Sequence, residues 1–99
     1  MKADQRAFIR IKATKDITLS VGADSHAGET LDIGQGGLCF TGPSALDLGP
    51  AIVLINKSDF VFKGTILAYH RSKVSGEPHF HFRFDKHIDS SILAVVLSL

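Results

Sequence analysis

At 99 residues the chain has room for one domain with a single modest core, burying roughly two thirds of the surface its unfolded form exposes. Hydrophobic residues at 44% and charged residues at 21% are globular values, which exclude a disordered or fibrous chain. Lys and Arg number 11 against 10 Asp and Glu, a net charge of +1 that excludes a broad nucleic-acid-binding face, so any recognition of an anion is local.

Met1 to Asp4 lead directly into charged positions without the apolar segment of a signal peptide. The next stretch, QRAFIR, sets Arg6 and Arg10 four positions apart around an apolar spacer. From Phe8 to Val21 the sequence largely alternates, with Ile9, Ile11, Ala13, Ile17, Leu19 and Val21 on one side and Arg10, Lys12, Thr14, Asp16, Thr18 and Ser20 on the other. A period of two marks a half-buried strand, here with a break near Lys15 and Asp16. GADSHAGE, from Gly22 to Glu29, reads as a turn-rich connection that reverses the chain. TLDIGQGGLCF then reads as strand, tight glycine turn, strand, with Leu31 and Ile33 before the turn and Leu38 to Phe40 after it.

Beyond the loop TGPSALDLGP, AIVLI is a buried strand, and after NKSD the stretch FVFKGTILAYH is another. RSKVSGEP leads into HFHFRF, where Phe80, Phe82 and Phe84 mark the core face and His79, His81 and Arg83 the opposite one. In DKHIDSSILAVVLSL, Asp89 stands where an N-cap would, and a terminal helix is expected. Its apolar run, Ile92 to Leu99, is far shorter than the roughly 20 residues that cross a bilayer, which excludes insertion by this segment. Cys39 is the single cysteine, so no intramolecular disulfide forms; its apolar neighbours predict a buried, unreactive thiol that suits a reducing cytoplasm. About six short strands with Gly and Pro turns predict an all-β fold, a small antiparallel barrel or sandwich with the helix over an open end.

Four groups of residues carry possible chemistry. On an extended segment Arg6 and Arg10 project to one side, about 13 Å apart at Cα, and forked guanidinium donors suit phosphate oxygens or guanine O6 and N7. By themselves they are the ordinary solvated edge of a soluble protein. Asp32 can accept from N1–H and N2–H of a guanine, and Gly34, Gly36 and Gly37 let backbone amides approach a ligand, although Asp followed by glycines is also what a hairpin turn requires. His79 and His81 share a strand face as an H-x-H pair that can ligate a transition metal if a third donor such as His70 arrives from a neighbouring strand, but no C-x-x-C or H-E-x-x-H pattern accompanies it, and outward polar strand positions are the simpler reading. No G-x-S-x-G elbow is present, and a chain this small leaves little volume for an enclosed active site, so an enzyme is not expected.

RAFIR, followed about twenty residues later by DIGQGG and then by short strands, resembles the PilZ domain family over nearly the whole chain. The family's R-x-x-x-R signature is matched by Arg6 and Arg10. Its second signature, Asp or Asn, any residue, Ser, any two residues, Gly, is matched by Asp32 and Gly37, with Gly34 in the serine position. The resemblance implies a single domain over residues 1–99, a six-stranded antiparallel β-barrel with a C-terminal helix, and a flexible arm over residues 1–10 that carries the arginines. It further implies a cytoplasmic receptor for cyclic di-GMP, with no cofactor or metal, that acts on a downstream protein partner. Arg6 and Arg10 would hold guanine and phosphate, and the loop of Asp32, Gly34, Gly36 and Gly37 would close over the other side. The alternative is a ligand-free adaptor working through protein contacts alone, for instance through Ile92 to Leu99. A missing serine hydroxyl is worth about 0.5–1.5 kcal/mol and an arginine's charge-assisted contacts about 1.5–3, so the arginines dominate; Gly34→Ser should tighten binding if the missing hydroxyl is the main deficit, and unchanged or weaker affinity would mean that the loop has its own solution.

Overall fold

The alternation between Ile9 and Val21 forms two strands rather than one in a computed structural model that describes residues 9–43 and 45–99. Strands β1 (Arg10–Lys12) and β2 (Asp16–Val21) both pair with one edge of β3 (Asp24–Gly34): β1 takes the end of that strand, Asp32 to Gly34, and β2 its beginning, Asp24 to Glu29. The break between them is held by Thr30, which is fully buried. The Lys15 amide donates to Thr30 Oγ1 at 2.8 Å, and that hydroxyl donates onward to the Ala13 carbonyl at 2.6 Å. Valine at this position keeps the shape but strands both backbone groups. Thr30→Val is therefore expected to destabilise the fold by about 1–3 kcal/mol, seen as a lower urea midpoint with an unchanged slope.

The reversal expected over residues 22–29 is narrower than the sequence indicated. Only Gly22 and Ala23 form the turn, with Gly22 at φ +60°, and Asp24 to Glu29 continue as strand against β2. Glycine at the first position of a two-residue loop supplies the positive φ such a hairpin demands. The strand itself is mostly exposed there, so it has no apolar face for a period of two to reveal.

Four more strands follow, β4 (Gly37–Thr41), β5 (Gly49–Ile55), β6 (Val61–Arg71) and β7 (Pro78–Phe84), and then helix α1 (Ser90–Leu97). The sheet runs β1-β3-β2-β5-β6-β7-β4, and a further β3–β4 pairing closes six strands into an antiparallel barrel with β1 as one extra strand. This is the expected six-stranded barrel with its C-terminal helix. Alternation places Ile17, Leu19, Leu38, Phe40, Val53, Phe80 and Phe82 in the core, and α1 adds Leu93 and Val96 to it. Asp89 occupies the N-cap position with extended backbone, though its side chain makes no capping hydrogen bond. At the other end of α1, Lys15 Nζ donates to the carbonyls of Leu97 and Leu99, a cation placed at the negative end of the helix dipole. Among the described residues no helix is long and apolar enough to cross a membrane.

Candidate functional site

The register of β1 on β3, Arg10 opposite Gly34 and Lys12 opposite Asp32, fixes the site. Residues opposite one another on antiparallel strands share a face, and Ile33 between them is in the core, so Arg10, Lys12 and Asp32 lie on the outer face of the barrel, with Gly34 on the same face but buried. Arg10 reaches diagonally along this pairing, and its Nη1 lies 3.1 Å from Asp32 Oδ1 with both side chains about 30% exposed. Two of the residues singled out from the sequence, 22 positions apart, thus meet in one ion pair. Arg6 lies outside the described residues, as does the expected arm up to Phe8; Arg10 belongs to β1.

Gly34 sits directly under β1. A Cβ built there would lie 2.9 Å from the Ile9 carbonyl oxygen and 3.3 Å from Arg10 Cγ, so the close approach of β1 depends on a residue without a side chain. A serine there would bring its Cβ against the backbone of β1 as well as add a hydroxyl, so something must shift to admit it. Gly37 opens β4 where that strand approaches β7, and a Cβ there would lie 2.1 Å from the Phe82 carbonyl oxygen. Packing alone accounts for glycine at that position. Gly36 lies in the bend between β3 and β4, where its carbonyl accepts from the Phe84 amide at 2.9 Å.

Gln35, a variable position of the motif with no chemistry of its own in the sequence, ties this bend to the segment before α1. Its side-chain amide donates to the Ile88 carbonyl at 2.9 Å, and the Ile88 amide donates to the Gln35 carbonyl at the same distance. The partners are 53 residues apart, so no local pattern announces the contact.

Across the sheet from Asp32 the outer face continues through Cys39 on β4 to His81 on β7. Cys39 points outward yet is only 5% exposed. Burial and then the Asp32 carboxylate push its thiol up to about 11, against a smaller opposing pull from Arg10, so it is the inert thiol expected. His81 Nε2 lies 3.2 Å from His70 Nδ1 on β6. Burial, then the neighbouring His70 and Arg10, hold His81 below the ordinary histidine value, with Asp32 opposing. The rings of His70 and His81 are stacked at 5.2 Å with their nitrogens in hydrogen-bond contact, and among the described residues no group of three His, Cys, Asp or Glu is arranged to hold a metal.

The family model described as PilZ domain matches residues 4–98. No curated protein matches the chain. Among solved structures, the Bacillus subtilis inhibitor of motility MotI/DgrA is similar with TM-score 0.70 and 12% identity, over 96% of this chain and 49% of that one. The PilZ domain of YcgR from Escherichia coli with cyclic di-GMP gives TM-score 0.70 and 15% identity, over 94% and 86% of the two chains. YcgR from Escherichia coli in complex with cyclic di-GMP gives 0.67 and 16%, over 93% of this chain and 42% of that one. The chain therefore spans about half the length of MotI/DgrA and less of full YcgR, while it spans most of the isolated YcgR domain.

Proposed function

The chain belongs to the PilZ domain family, and from that premise we propose that it is a cytoplasmic receptor for cyclic di-GMP that alters the surface it offers to a protein partner. The observation that carries this reading is the Arg10–Asp32 pair on the outer face, beside the glycine bend. Arg10 supplies forked donors for phosphate oxygens or guanine O6 and N7, and Asp32 is an acceptor for the N1–H and N2–H of a guanine. Arg6 contributes the second guanidinium, and Gly34 and Gly36 allow close backbone approach. Two similar structures hold cyclic di-GMP on this fold, which supports the same ligand here. The role is binding and relay, without catalysis.

The relay runs through Gln35. Ligand closing on the glycine bend acts on the two Gln35–Ile88 hydrogen bonds, and Ile88 lines a groove of about 500 Å³ together with Val61, Phe84 and Ile92. A partner reading that groove and the exposed Ile92 and Val95 of α1 would sense the bend's position.

Calorimetric titration with cyclic di-GMP tests the reading. Saturating heat is expected in the micromolar range, and the affinity should fall with added salt because guanidinium groups meet phosphate charge. A titration that stays flat at high ligand concentration sinks the receptor and leaves the ligand-free adaptor.

A further inference from the structure

The outer face also carries imidazoles that the motif residues do not explain. Asp32 on β3 stands opposite Cys39 on β4, Cys39 opposite His81 on β7, and His81 is bonded to His70 on β6. With adjacent strands about 4.8 Å apart, His81 lies two strands from Asp32, roughly 10 Å across the sheet, and the ring contact continues the row diagonally to His70, which stands opposite His79. Between them the outward position on β4 is the small, buried Cys39, so no long side chain from that strand stands up to divide the surface. A ligand with two phosphodiesters can rest one on Arg10 and carry the other across that floor.

We propose that His70 and His81 form the far side of the cyclic dinucleotide site, meeting its second phosphate with a proton shared between their rings. The proposal rests on the receptor reading and extends that site from β1 and β3 to β7 and β6.

The chemistry follows from the bond between the rings. Two neutral imidazoles can bond with one ring nitrogen donating and the other accepting. One added proton makes an imidazole–imidazolium pair that keeps this bond; a second proton would set two donors against each other and break it. The neighbours on the same face are Arg10 and Lys12 of β1, Asp32 and Glu29 of β3, Cys39 of β4, and His79 and Arg83 of β7. In the free protein burial and the surrounding positive charge keep His81 below its ordinary value. A phosphate raises it, so the bound protein holds a proton more tightly than the free one. Affinity therefore rises as pH falls through the bound-state value and levels off below the free-state value, with a limiting slope of about tenfold per pH unit for one linked proton. The Cys39 thiol, at about 11, titrates outside this window.

The full chain titrated with cyclic di-GMP at about pH 8 and about pH 6, in buffers of different ionisation heat, should bind about three- to tenfold more tightly at the lower pH and take up a proton. His81→Gln should remove the pH dependence and the dependence of heat on buffer. His70→Gln, at an exposed position, should do the same and serves if His81→Gln fails to fold. His79→Gln should retain both dependences. Binding that is intact but independent of pH and buffer, or a pH dependence that survives in the His70 and His81 variants, overturns the proposal while the receptor reading stands. Absence of binding at either pH overturns both.

Discussion

Arg10→Ala is expected to weaken cyclic di-GMP binding at least tenfold, the loss of about 1.5–3 kcal/mol that goes with charge-assisted hydrogen bonds to a phosphate or a guanine. Its effect on folding should be far smaller. The Arg10–Asp32 pair is about 30% exposed on both sides, and ion pairs of that kind contribute about 0–1 kcal/mol. The same comparison decides what the pair does before ligand arrives. Opening it costs less than the ligand contacts return, so it holds the guanidinium over the site without locking it. Arg10→Lys keeps the charge but not the forked donors and should fall between wild type and Arg10→Ala. Lys12→Ala removes only a neighbouring charge on the same face and should change affinity less than either. Calorimetry gives the affinities and thermal unfolding gives the stability. An Arg10→Ala protein that is folded and binds like wild type would place the ligand on another surface.

The sequence showed most clearly what depends on neighbouring positions. Phe80, Phe82 and Phe84 declared a core face because three large rings at a period of two have one way to be buried, and all three are. The glycines of DIGQGG declared a bend, and the interruption at Lys15 declared the strand break. What was hidden depends on register between distant strands. The apolar run Leu38, Cys39, Phe40 gives no sign of which residue faces outward. Only pairing with Asp32 on one side and His81 on the other turns Cys39 toward the outer face. The contact between His81 and His70 follows from the register of β6 on β7, and the tie between Gln35 and Ile88 joins positions 53 residues apart. Arg10 and Asp32, both legible as motif residues, do meet in one ion pair, whereas His70 and His81, which the sequence could link only through a shared metal, lie in direct contact with each other.

Gly34→Ser tests how the site is built. Viewed as a missing hydroxyl, the change should tighten binding by about threefold to tenfold. The contact made by a side chain at this position predicts the opposite. A Cβ would lie 2.9 Å from the Ile9 carbonyl, and that oxygen belongs to backbone, so the conflict is not relieved by a change of rotamer. Something must move, and β1 is the element least able to resist, since it has three residues and pairs only with β3. Overpacking of this kind costs about 1–3 kcal/mol, more than one ordinary hydrogen bond returns. If β1 lifts, the pairings of Arg10 with Gly34 and of Ile11 with Ile33 are lost, and Arg10 must be ordered again at the expense of ligand binding. Affinity is therefore expected to fall about threefold to tenfold, with faster hydrogen exchange at the amides that β1 contributes to its pairing with β3. Gly34→Ala isolates the cause, because it introduces the same Cβ without the hydroxyl. Equal losses in the two variants assign the whole effect to the displaced strand, and a smaller loss with serine measures what its hydroxyl returns. Tighter binding by Gly34→Ser with β1 still protected from exchange would show that the strand yields without leaving β3, and that the hydroxyl was the deficit after all.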